Sequence, residues 1–152
     1  MPVRSILCPV DLNEGSHIAL ATASVLAKSM DAVLHVVYVL PCSGDSGNDL
    51  RHEDALQNAV DQHVSAEVRT RLMFLYGDPV DEIVNTAHTI SADLIVMATD
   101  SDGGWEFHHN GVIAEEVAQL VECPVYALRI SDITNNTSIP FDYFVRQYIC
   151  LN

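Results

Sequence analysis

From Ala32 to Leu40 the chain reads AVLHVVYVL, with apolar and mostly β-branched residues at nearly every position. A strand wetted on one face alternates apolar with polar residues, whereas a strand buried on both faces reads as an unbroken apolar run. This stretch therefore reads as a central strand covered on both sides. Such a strand calls for parallel neighbours, and parallel neighbours need crossover connections, usually helical.

The rest of the chain supplies those connections. Val3 to Val10, VRSILCPV, is a short apolar strand that ends at the polar turn Asp11-Leu12-Asn13-Glu14. From about Ser16 to Met30, the residues Ile18, Ala19, Ala21, Ala23, Val25, Leu26 and Ala27 are spaced for a helix with a broad buried face. PCSGDSGN over 41–48 is a turn region, and helix-compatible residues run from Leu50 toward Ala66. Val68 to Tyr76 reads as a strand. Gly77-Asp78-Pro79 then turns the chain into a helix over Val80 to Ile90, with Pro79 suited to its first turn. A strand over Ala92 to Met97, a helix over Gly111 to Val121 and a strand over Pro124 to Ile130 complete the series.

Regular alternation of this kind, without an internal repeat, implies parallel strands joined by right-handed crossovers, with helices on both faces. In such open sheets ligands gather at the carboxyl ends of strands, beside the point where the strand order reverses. The candidate site therefore comprises the turn after Val10 and the stretch ATDSDGGWEFHHNG from Ala98 to Gly111.

With 152 residues, 49% hydrophobic and 18% charged, the chain suits one folded domain. Its net charge of -14 and only 7 Lys and Arg exclude non-specific nucleic-acid binding, which rests on basic residues displacing counterions. No apolar stretch approaches the roughly 20 residues of a membrane span, and MPVRSILCPVD lacks the apolar core of a secretory signal. A soluble, cytoplasmic protein with no membrane partner is expected. Cys8, Cys42, Cys123 and Cys150 form no CxxC pair, so reduced thiols are expected.

Three segments, ILCPVDLNE, GDPVDEIVNTAHTISADLIVMA and GVIAEEVAQLVECPVYALR, occur in an order that resembles the universal stress protein family from Val3 to about Ile130. The resemblance implies an α/β fold, an open five-stranded parallel sheet in the order 3-2-1-4-5 with helices on both faces, over residues 1–130. It also implies a homodimer built through the last strand. Residues 131–152 lie beyond the family's usual last strand. Their Phe141, Tyr143, Phe144, Val145, Tyr148 and Ile149 are expected to dock on the domain or on a second subunit rather than face water.

Family members that bind ATP carry the motif G-x2-G-x9-G-[S/T], which falls here on Ala98, Ser101, Gly111 and Val112. Only Gly111 fits. Ala98 and Ser101 restrict the backbone where glycine would let it hug a phosphate, and Val112 removes a hydroxyl donor. Gly103, Gly104 and the N-terminus of the following helix keep some anion-binding capacity. Asp100, Asp102 and Glu106 oppose it, each costing a phosphate charge about 0.5 to 1 kcal/mol at ~8 Å.

The adenine side of the resemblance is better kept. Asp11 matches the aspartate that meets the base, and Pro9, Val10, Val36 and Met97 match its apolar walls. Read on residue chemistry alone, Asp11 is equally a turn residue that caps the next helix, and Val36 and Met97 are core residues. Candidate nucleotide contacts are thus Pro9, Val10, Asp11, Val36, Met97, Ala98, Asp100, Ser101, Gly111 and Val112.

Asp100, Asp102, Glu106, His108 and His109 could hold a cation, since carboxylates suit hard ions and imidazoles suit zinc or nickel. DSDGG begins like a calcium loop, but Gly104 stands where a third ligand belongs. A magnesium ion bridging these carboxylates to phosphates would turn repulsion into coordination, whereas a solvated loop would hold no metal at all. Trp105 and Phe107 pack on a neighbouring helix or shield a ligand. His17, His52, His63 and His88 read as surface helix positions. No nucleophile elbow or HExxH pattern accompanies Ser101 or Cys8, so catalysis is not signalled.

Three functions remain compatible with these residues. The first is a dimeric stress-response module acting on an unidentified protein partner without tight ATP binding. The second is an adenine-nucleotide sensor taking ATP or AMP, directly or through magnesium. The third is a weak nucleotide hydrolase.

Overall fold

A computed structural model of the chain describes residues 2–11, 14–40, 49–99, 113–129 and 149–150. The elements in chain order are β1 (Ser5–Val10), α1 (Glu14–Met30), β2 (Val33–Leu40), α2 (Asp49–His63), β3 (Thr70–Tyr76), α3 (Pro79–Thr89), β4 (Leu94–Thr99), α4 (Ile113–Leu120), β5 (Val125–Arg129) and β6 (Ile149–Cys150). They form one sheet in the order β3-β2-β1-β4-β5-β6. β1 to β5 run parallel, as expected, while β6 adds an antiparallel edge taken from the C-terminal extension.

Side-chain alternation divides the core between the two faces of the sheet. Ile6, Cys8 and Val10 of β1 and Leu34, Val36 and Tyr38 of β2 pack with Leu20 and Ala23 of α1 and Leu56 and Val60 of α2. On the other face Leu7, Val37, Val39, Ile95 and Met97 pack with Val80 and Ile83 of α3 and Val117 of α4. The unbroken apolar reading of β2 thus has its cause in two separate hydrophobic layers. Full burial of each such aliphatic side chain contributes about 1.5 to 3 kcal/mol.

Local chemistry sets the element ends. Gly77 has φ +146°, and its N–H donates to the Leu40 carbonyl at 2.8 Å, closing β3 against β2. Asp78 then caps α3 by accepting the Asp81 N–H at 3.1 Å, and Pro79 occupies the first turn, where its missing N–H costs nothing.

Most element boundaries shift by a residue or more from the sequence expectation, and two of the shifts have a visible tertiary cause. Helix α2 ends at His63 rather than Ala66, because the Ser65 N–H donates to Ser24 Oγ of α1 at 2.9 Å and the Val68 N–H to the Ser65 carbonyl at 3.1 Å. Strand β4 begins at Leu94 rather than Ala92. Before it, Asp93 clasps the start of β1: its Oδ2 accepts the Arg4 N–H at 2.8 Å and the Ser5 N–H at 3.0 Å, and its own N–H donates to the Ser5 carbonyl at 2.8 Å. Among the described residues, no helix is long and apolar enough to cross a membrane.

Candidate functional site

The order reverses between β1 and β4, and the two strands part company there. Their register contains only Ile6 opposite Leu94 and Leu7 opposite Ile95, whereas β1 stays paired with β2 from Ser5 to Val10. The Val33 N–H donates to the Arg4 carbonyl on the β2 side, and the Asp93 N–H to the Ser5 carbonyl on the β4 side. By alternation, Leu7 and Pro9 address β4. Pro9 has no N–H to give, so the ladder to β4 lacks a donor where it would continue. This switch point, flanked by Pro9, Val10 and Asp11 on one side and by Ala98 on the other, is where such sheets carry a crevice.

Asp11, half-buried, stands at the tip of β1. Its N–H donates to Ser16 Oγ at 2.9 Å, and the Ser16 hydroxyl donates in turn to Asp11 Oδ1. Ser16 is itself buried, in the first turn of α1. This reciprocal pair ties the strand tip to the helix and fixes the carboxylate.

Tyr38 lies opposite Val10 in the β1–β2 register, directly before the level of Asp11. Its phenol is pushed above the ordinary range, first by burial and then by the negative charge of Asp11. It therefore remains a protonated donor at neutral pH. Its ring stacks on Phe74 at 5.3 Å and on His52 at 5.6 Å, and Phe74 meets Tyr76 edge-on at 5.7 Å. Neither Ser16 nor Tyr38 was among the sequence candidates. The register of two adjacent apolar strands was the signal that could have brought Tyr38 to the site.

The expected apolar walls are placed differently from one another. Pro9, Val10, Val36 and Met97 are all buried, with Val10 and Met97 at 1% and Val36 at 0% exposure. Val36 belongs to the layer beneath α1 and α2, and Met97 to the layer beneath α3 and α4. They face opposite sides of the sheet and do not form one wall, because residues of parallel strands share a face only when their alternation is in phase. Ala98 is half-buried and packs on the Val36 side. Asp100, Ser101, Asp102, Glu106, His108, His109, Gly111 and Val112 lie outside the described residues, as do Trp105 and Phe107.

Among the described residues, no group of three or more His, Cys, Asp or Glu side chains could hold a metal ion. Cys8 is fully buried and its thiol is pushed far up by desolvation, which rules it out as a nucleophile near the crevice. Of the four helix histidines expected at the surface, His88 is exposed, but His17 and His63 stack on one another at 4.7 Å and His52 joins the aromatic group of Tyr38. A polar hollow lined by His88, Ser91, Asp93, Glu122 and Cys123 lies at the opposite, N-terminal ends of β4 and β5, away from the crevice.

An open α/β sheet whose strand order reverses beside a tip crevice places this protein in the class of doubly wound domains that carry their sites at the switch point. Within that class the chain belongs to the universal stress protein family, whose model matches residues 2–129. It is 30% identical over 139 residues to a universal stress protein of Methanocaldococcus jannaschii, covering 83% of this chain and 82% of that one. Its fold is similar to that of the universal stress protein UspA from Lactobacillus plantarum, with a TM-score of 0.70 at 20% identity over 85% of this chain and 99% of that one. It is similar also to a universal stress protein from Archaeoglobus fulgidus solved in complex with dAMP, with a TM-score of 0.66 at 21% identity over 84% of this chain and 98% of that one.

Proposed function

We propose that this protein is a stress-response module that works through protein contacts and pairing at its β5 edge, without holding ATP tightly. The observation that carries this reading is that the candidate base contacts are already engaged. Val10, Val36 and Met97 are at most 1% exposed, and the Asp11 carboxylate is already engaged by Ser16. A base seated there would have to displace a formed hydrogen bond and part a packed core. The loop that follows Ala98 adds Asp100, Asp102 and Glu106 against a triphosphate and keeps one glycine of the motif. In this reading residues 1–130 are the family domain, and residues 131–152 are an extension seated on it.

A second reading is favoured by the crevice itself. Asp11 stands at the β1 tip with its charge felt by the protonated Tyr38 phenol, an acceptor and a donor of the kind that suits an adenine or ribose edge. A relative of this fold was solved with dAMP, a ligand carrying far less charge than ATP. On this reading the crevice takes AMP in preference to ATP, and magnesium bridging narrows the difference.

Thermal unfolding with AMP, ATP and magnesium separates the two. A ligand at 100 times its Kd stabilises the fold by about 2.7 kcal/mol. The first reading expects no shift in Tm with millimolar ATP, with or without magnesium, and a shift with ATP would overturn it. The second expects a shift with AMP that disappears in Asp11→Ala.

A further inference from the structure

The outer edge of β5 is already in use by the chain itself. The Ile95 N–H donates to the Pro124 carbonyl at 3.0 Å, so Pro124 turns its backbone toward β4, and by alternation Tyr126 and Leu128 do the same. Val125, Ala127 and Arg129 therefore turn their N–H and C=O groups to the outer edge. There β6 lies antiparallel, with Val125 opposite Cys150 and Tyr126 opposite Ile149.

An uncovered strand edge is a template for another strand, and proteins cover such edges or lose control of them. A second copy related by a two-fold axis normal to the sheet would bring its own β5 to this edge antiparallel, the direction β6 already takes. Both strands would need the N–H and C=O of Val125, so they exclude one another. β6 belongs to the same chain as β5, which gives it a high effective concentration at this edge. A second β5 lacks that covalent link but offers Val125 to Arg129 to the same edge.

We infer that β6 is an intramolecular cap that competes with the β5 strand of a second copy of this chain. Its seating holds the protein monomeric at this edge, and its release permits pairing. The inference rests on the β5 pairing proposed above and adds what controls it.

The test uses the full chain carrying Cys150→Pro, which removes the N–H that β6 turns toward Val125, and a second variant ending at Tyr148. Molar mass by light scattering at matched concentration is read together with amide exchange at Val125 and Ala127. Wild type is expected at the 16.7 kDa monomer mass, with a slow Val125 amide. Both variants are expected at twice that mass with both amides slow, their apparent dimer dissociation constant lowered at least about tenfold. Wild type and variants all dimeric, with Ala127 slow throughout, would refute the cap and leave the β5 dimer standing. All three monomeric would overturn the cap and the β5 dimer together.

Discussion

Ser16 and Asp11 are bound to one another twice: the Asp11 N–H donates to Ser16 Oγ, and the Ser16 hydroxyl donates to the Asp11 carboxylate. One hydroxyl thereby serves as acceptor and donor at the tip of the strand that borders the crevice. The carboxylate that a ligand would meet is a structural element before it is a recognition element.

Ser16→Ala is accordingly expected to destabilise the fold by about 1 to 2 kcal/mol, because it deletes two hydrogen bonds at a buried position. Urea unfolding measures this. Ser29→Ala, on an exposed position of the same helix, serves as the control and is expected to stay within about 0.5 kcal/mol of wild type. Equal midpoints for the two variants would mean that the Ser16 bonds contribute nothing net.

Gly77 tests the turn that launches α3. A Cβ there would come within 2.8 Å of Glu82 Oε1, and φ +146° is strained for any L side chain. Gly77→Ala is expected to cost about 1 to 3 kcal/mol. Combining it with Glu82→Ala relieves the contact but not the backbone, so the double variant is expected to recover only part of the loss. Complete recovery would show that the contact, not the dihedral angle, demands glycine.

His35 gives stability a pH dependence. Its imidazole is held below its ordinary pKa, first by burial and then by the Arg71 guanidinium. The folded state favours the neutral ring, so the unfolded chain takes up the proton first as pH falls. This contribution is full above the ordinary histidine pKa of about 6.5 and is lost as pH falls from there toward the folded value. Between pH 7.5 and 5.5 the wild-type urea midpoint is expected to fall more than that of His35→Gln, with Arg71→Gln in between. Parallel pH profiles for wild type and His35→Gln would contradict this account.

The sheet was legible because its signals are local. AVLHVVYVL marked a doubly buried strand, and Gly77-Asp78-Pro79 carried a turn, a cap and a first helical residue in three consecutive positions. The α2 end and the β4 start were misplaced because tertiary bonds set them: Ser65 reaches Ser24 across 41 positions of sequence, and Asp93 reaches Ser5 across 88. Composition along a segment carries no trace of such a partner. β6 was equally hidden, since its partner Val125 lies far from it in sequence.

The switch point was legible in its location, and the residues grouped around it less so. Chain order alone put the reversal of strand order between β1 and β4. Val36 and Met97 were grouped as walls of one pocket, although strand alternation sends them to opposite layers. Ser16 was passed over because a serine in a first helical turn is ordinary, and only the fold shows that its hydroxyl is shared with Asp11.

Pro9 has a mechanical consequence. Between β1 and β4 the register holds only Ile6 opposite Leu94 and Leu7 opposite Ile95, with the Asp93 clasp below it. Above Leu7 the seam has one backbone donor fewer, and side-chain packing spans it instead, Cys8 and Val10 with Val96 in one layer and Leu7 with Met97 in the other. The tips of this seam therefore depend on the core more than on the ladder.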